Sequence, residues 1–261
     1  MVGRRRKSSR KLAAGPQRSW LWGRHAVLEM LAAGRWRPLE LRVADDLDSN
    51  VRATVETDAR ACNAPLTEHS SLQLTRWCGA AEHQGLLALM PPYPYLSIDA
   101  ALAALRDPPL MLILDRIQDP HNFGAILRSA EVFGVDVVVI GEQAQCDVTP
   151  HVVRSSAGAV NHIGIARVAD LSALPALLRQ HCGARAFAAA GDSAQPVATA
   201  DLRTATAIVI GNEGVGVSSE LRSACDAAIR ISQVGRIDSL NAAVAAGVLL
   251  YEVRRQRDEL S

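Results

Sequence analysis

The chain has 261 residues, enough for one large domain or two modest ones with a real core. Apolar residues make up 49% and charged residues 21%, a globular composition, and no apolar run approaches the length of a membrane span. The net charge of +1 hides an asymmetry: Arg4, Arg5, Arg6, Lys7, Arg10, Lys11 and Arg18 all precede the first acid, Glu29, and removing those seven from 28 bases leaves 21 against 27 acids, a body near −6. A basic arm on an acidic body suits salt-sensitive contact with a polyanion, although a merely solubilising tail reads equally well. Cys62, Cys78, Cys146, Cys182 and Cys225 are odd in number and lack metal-ligand spacing. They read as reduced core residues of a cytoplasmic protein, and the basic N-terminus has no apolar segment behind it to direct secretion.

Residues 1 to about 18 have no apolar period and are expected to be disordered. Order begins at Trp20-Leu21-Trp22. Val27, Met30 and Leu31 then share a helical face across Arg24 to Ala33, which Gly34 ends. A strand at Leu39 to Ala44, a helix at Asn50 to Cys62, a short helix at Ser71 to Cys78 and a strand at Gly85 to Met90 complete a small α/β domain over residues 19–90. Pro91-Pro92-Tyr93-Pro94-Tyr95, a short Ala/Leu helix and Asp107-Pro108-Pro109 mark 91–108 as a linker.

The second domain, 109–261, opens with a βαβ unit. Leu110 to Leu114 is a buried strand, and Asp119-Pro120-His121-Asn122 carries turn and helix-start chemistry. Phe123, Ile126, Leu127, Ala130 and Phe133 recur at helical spacing up to Gly134, and Asp136 to Gly141 is a second strand. Further on come Thr149 to Val160, a helix near Leu171 to Gln180, and strands at Ala186 to Ala190, Ala207 to Gly211 and Ala228 to Ser232. The last helix is expected over Ser239 to Gln256, with Leu240, Val244, Gly247, Leu250 and Tyr251 lining one side and a basic end matching its dipole.

Three polar clusters follow buried strands of this domain: Asn122 to Arg128, Gly211 to Gly216 (GNEGVG), and Gly235 to Asn241 (GRIDSLN). In open α/β sheets ligands sit beyond the carboxyl ends of strands, where all three belong. Each residue alone has a plainer reading. Asn before a helix is ordinarily a cap, Arg within one a solvated charge, and Ser239 a natural N-cap. Asn122 and Arg128, six residues apart, do not share a helix face. There is no G-x-G-x-x-G after the first strand, no G-K-[ST], no H-E-x-x-H and no Cys/His ligand pattern, which argues against a metal, a dinucleotide or a triphosphate.

Asn122-x-Gly124-x-x-x-Arg128, then Ile210-Gly-Asn-Glu-Gly-Val-Gly216, then Ser239-Leu240-Asn241 resemble, in order and context, the three motifs of the SpoU/TrmH family. These are RNA ribose 2′-O-methyltransferases of the SPOUT class. The resemblance covers Pro109 to the C-terminus. More loosely, Gly23-Arg24-His25-Ala26-Val27 and His83-Gln84-Gly85 resemble the accessory L30e/L7Ae-like RNA-binding domain of the bacterial large-subunit rRNA guanosine methyltransferases.

The resemblance implies an α/β fold whose C-terminal domain is a trefoil-knotted, mostly parallel sheet. It also implies S-adenosyl-L-methionine as cofactor, with Gly211, Ile231 and Leu240 at cofactor-contacting positions. Asn122, Arg128, Glu213, Ser239 and Asn241 take the family's catalytic polar positions, and all match in type. The partner it implies is RNA, rRNA ahead of tRNA, with a homodimer formed through the knotted domain and no membrane. An rRNA resistance methyltransferase, a tRNA enzyme and a non-catalytic ribosome-assembly factor stand as alternatives.

Overall fold

The computed structural model describes residues 20–237 and 239–259, so the basic tail of residues 1 to 18 and Asp238 lie outside the described residues. The described residues fall into two compact units that divide between Pro92 and Tyr93.

The first unit is built on a four-stranded sheet. Its strands are β1 (Trp20–Trp22), β2 (Glu40–Ala44), β3 (Leu66–His69) and β4 (Leu86–Leu89), in the order β1-β4-β2-β3. Only the β2–β3 pair is parallel. Helices α1 (Arg24–Ala33), α2 (Ser49–Cys62) and α3 (Ser71–Cys78) accompany it. Gly34 ends α1 at a left-handed φ of 66° that a glycine adopts without a Cβ penalty. Asp48 caps α2 through the amides of Asn50 and Val51, and Ser70 with Gln73 forms a capping box on α3. Strand β3 is absent from the sequence reading. Its LTEH pattern is half exposed along an edge and carries no apolar run to mark it.

The second unit holds a six-stranded sheet, parallel throughout, in the order β10-β8-β9-β5-β6-β7. The strands are β5 (Leu110–Asp115), β6 (Val137–Gly141), β7 (Gly164–Val168), β8 (Arg185–Ala189), β9 (Thr206–Gly211) and β10 (Ala227–Ile229). All six residues of β5 and all five of β6 are buried, as strands covered on both faces must be. The helices of this unit are α4 (Ile98–Ala103), α5 (Pro120–Val132), α6 (Pro150–Ser155), α7 (Leu174–Cys182), α8 (Ser219–Ala224) and α9 (Ala242–Asp258), with 3-10 turns at Ala159–Asn161 and Val197–Thr199.

Residues 93–108 are more than a connection. Leu96 bridges to Ala166 beside β7, the Tyr95 hydroxyl accepts the Val148 amide at 2.8 Å, and Arg167 stacks over the Tyr95 ring. Burial pushes the Tyr95 phenol up to about 12.

Two helix starts differ from the sequence reading. Asp119, not Asn122, caps α5, taking the amides of His121 and Asn122, so Asn122 lies inside the first turn with its side chain free for other work. Asn241, not Ser239, caps α9, through the amides of Ala243 and Val244. The face of α9 is corrected as well. Ala242, Ala246, Leu249, Leu250 and Val253 are buried, whereas Val244 and Tyr251 are 51% and 56% exposed. Small Ala242 and Ala246 let α9 lie close along α5 and β9, which turns the larger Val244, Val248 and Tyr251 outward.

Candidate active site

Because every strand of the larger sheet runs the same way, the segments after β5, β8, β9 and β10 open on one edge. There the three polar clusters of the sequence meet. The Asn122 Nδ2 donates to Glu213 Oε1 at 2.5 Å, and Asn241 Nδ2 donates to Asn122 Oδ1 at 2.9 Å. These contacts join residues 91 and 119 positions apart in the chain. The amide orientations are set from both ends. Glu213 as a carboxylate only accepts, and Asn241 Oδ1 is already taken by two amides of α9. Asn122 therefore donates to Glu213 and accepts from Asn241.

A cavity of about 500 Å³ adjoins this network, a size that suits a small organic ligand. Gly211, Ile231 and Leu240 line it together with Glu213 and Ser239. Ile210, Ile229 and Leu249 give it an apolar floor. At another part of its wall Asp192 and Arg222 pair at 2.9 Å, and that hydrogen bond holds the Asp192 carboxyl below its usual range.

The two motif glycines answer different needs. A Cβ on Gly211 would stand 2.1 Å from the Gly216 carbonyl carbon and from the Val217 nitrogen, so the chain's own loop occupies the space beside it. A Cβ on Gly124 would stand 1.9 Å from Ser155 Oγ, which makes that glycine a packing requirement between α5 and α6.

The structure does not bring every expected site residue together. Arg128 stands exposed two turns into α5, outside the cavity lining and the Asn122–Glu213–Asn241 network. Ser239 lines the cavity without joining that network. Sequence reading missed Asp115 and Arg116 at the end of β5, and the Asp192–Arg222 pair. A charged pair directly after a fully apolar strand was the available signal for the first; none existed for the second, whose partners are 30 residues apart.

Compared with known proteins, residues 109–251 match the model of the SpoU rRNA methylase family. The chain belongs to this family. Residues 20–96 match a second model, RNA 2′-O ribose methyltransferase substrate binding. An uncharacterized tRNA/rRNA methyltransferase of Synechocystis is 35% identical over 245 residues, 91% of this chain, and the chain spans 62% of that relative's length. A TrmH family tRNA/rRNA methyltransferase of Staphylococcus haemolyticus is 33% identical over 246 residues, covering 91% of this chain and 96% of its own. In fold, the SpoU methyltransferase AviRb of Streptomyces viridochromogenes, solved with AdoMet, superposes with a TM-score of 0.80 over 93% of this chain and 91% of its own, at 24% identity. The architecture is thus the SPOUT fold, and S-adenosylmethionine is the cofactor of the SpoU family.

Proposed function

We propose that this SpoU methylase transfers a methyl group from S-adenosylmethionine to a ribose 2′-hydroxyl of RNA, with a guanosine of large-subunit rRNA as the favoured target. The single observation that carries the reading is the Asn122–Glu213–Asn241 network, which reaches through Glu213 the cavity lined by Gly211, Ile231 and Leu240. The cavity fits the cofactor in volume and chemistry, with aliphatic side chains for a nucleoside and polar groups for charged ends. Bound there, the cofactor supplies an activated methyl on a sulfonium.

This chain's residues do the rest. Gly211, Ile231 and Leu240 hold the cofactor. Glu213, fixed by Asn122, takes the proton of the ribose hydroxyl as the O–H bond gives way to the new O–CH3 bond, and Asn241 keeps Asn122 in its orientation. Ser239 presents a hydroxyl from the cavity wall. Arg128 grips the adjacent phosphate with its planar fork and stabilises charge developing on the ribose oxygen. Its part is binding and charge stabilisation through five fixed N–H donors.

The same proposal extends to the assembly. Val132, Val244, Val248 and Tyr251 are exposed apolar side chains on α5 and α9, and they suit a homodimer formed through this unit. Light scattering at micromolar concentration should give twice the chain mass. The trefoil knot, a cytoplasmic location and an RNA-binding role for the 19–90 domain and the basic arm belong to the reading too. No helix among the described residues is long and apolar enough to cross a membrane.

The test is incubation with labelled S-adenosylmethionine and total RNA, followed by alkaline hydrolysis. Methylation of a 2′-hydroxyl removes the nucleophile for strand cleavage, so the target nucleotide should resist alkali. Label on a base, or none on RNA, would overturn the reading.

A further inference from the structure

Arg116 adopts a left-handed backbone, φ 61°, that costs a non-glycine residue on the order of 1 kcal/mol. Such an outlier persists where its surroundings fix it, and three groups fix this one. The Arg116 guanidinium grips the neighbouring Asp115 with Nε and Nη2 at 3.0 and 3.1 Å, and Nη2 also reaches the Gly216 carbonyl at 3.3 Å. The Arg116 carbonyl accepts from Asn212 Nδ2 at 3.1 Å. Asp115 is 4% exposed, and its Oδ2 takes the Ser218 amide at 2.7 Å.

The loop that bears Glu213 is therefore held at its start, at Gly216 and at its end by two consecutive residues, the last of β5 and the one after it. Asn212 passes the restraint inward, since its Oδ1 accepts the Gly214 amide at 2.8 Å and its carbonyl accepts the Gly216 amide at 2.8 Å. Glu213 lies between these anchors, and its side chain bonds to Asn122. The geometry points to Asp115–Arg116 as a clamp that sets the 212–218 loop, which makes Arg116 a positioning residue that acts on the reaction through Glu213. The left-handed backbone turns the carbonyl and the guanidinium toward the same loop, which explains why this strained position carries an arginine instead of a glycine. This inference rests on the proposed methyl transfer for its catalytic consequence, but not for the clamp itself.

Arg116→Gly is the sharpest variant, because glycine takes the left-handed backbone without strain and only the guanidinium is lost. Amide hydrogen exchange of the full chain, with no ligand, should show faster exchange at Gly214, Gly216 and Ser218 while the melting temperature shifts by only a few degrees. Single-turnover transfer at saturating cofactor and RNA should fall by about tenfold to a hundredfold, the scale of a small misplacement of a reacting group. In a Glu213→Gln background the same substitution should cost little more, because both changes disturb one element. A merely structural arginine would lower transfer equally in both backgrounds, and that additivity would overturn the assignment. Arg116→Lys serves if the glycine variant does not fold. It keeps the charge without the fork and should show the loop exchange and part of the loss. Unchanged exchange in both variants would sink the clamp. A parent that methylates no RNA, yet shows the loop loosened by Arg116→Gly, would refute the proposed function and leave the clamp standing.

Discussion

In the N-terminal unit, side chains bond mostly to near neighbours in sequence. Asp48 reaches amides two and three residues ahead, Ser70 pairs with Gln73, and Arg42 leans on Glu40 while stacking over Trp20 and Trp77. A longer-range example, Arg24 to Gln84, spans 60 residues. At the carboxyl edge of the larger sheet the separations are 91 for Asn122 to Glu213, 96 for Asn212 to Arg116, 103 for Ser218 to Asp115 and 119 for Asn241 to Asn122. A cap forms with its own helix, whereas a bond across a hundred residues exists only once the sheet has closed. Damage in the first unit should therefore stay local, and damage at the sheet edge should reach the site.

The strongest break in that contrast comes from a glycine in each unit. Gly211→Val pushes a branched side chain into the Gly216–Val217 backbone, and overpacking of this kind costs about 3 kcal/mol or more. Cofactor binding by calorimetry should vanish together with a fall in melting temperature, since pocket and loop share the space. Gly34→Ala meets nothing within 4 Å and carries only the left-handed penalty of about 1 kcal/mol, so calorimetry should find the cofactor affinity of the parent.

Arg128→Ala comes next. Its transfer should drop on the order of a hundredfold, the scale of one lost preorganised charge-stabilising donor, with S-adenosylmethionine affinity near normal. Arg128→Lys should recover little of the loss, because a point charge does not replace the fork. Full single-turnover activity in Arg128→Ala would remove this residue from the mechanism.

A subtler cut separates the two tasks of Asn241. In Asn241→Asp the carboxylate still accepts the amides of Ala243 and Val244, and it suits the positive end of α9. It has no N–H for Asn122. Thermal stability should hold or rise slightly while transfer falls about tenfold, the worth of one hydrogen bond. If activity survives, the Asn122 contact is incidental.

The smallest effect belongs to the first unit. Asp48→Ala removes the cap of α2 and should cost about 1 kcal/mol, with no change in cofactor affinity.

Much of this was legible in the residues. The apolar runs at Leu110–Leu114 and Ala207–Gly211 announced buried parallel strands, and the glycines and prolines around them marked where chain must turn. Edge strand β3 was not legible, because LTEH has no apolar period to show. Helix starts were misplaced where two cap formers compete. Asp119 precedes Asn122, and Asn241 follows Ser239, and only backbone geometry decides between them. The face of α9 was misjudged because its large residues point outward and its alanines inward, the reverse of what hydrophobic size suggests. The site motifs could be read one by one, but nothing local says that Asn122 spends its amide on both Glu213 and Asn241.

The Asn241 contact also has a meaning in time. In a growing chain Glu213 follows Asn122 by 91 residues, and Asn241 comes 28 residues after Glu213, as the cap of α9. Until that helix docks, the Asn122 amide has no donor to fix it and Leu240 is missing from the cavity wall. Docking of α9 therefore finishes wall and network together: a chain cut before residue 240 lacks both Leu240 at the cavity and the Asn241 contact that orients Asn122.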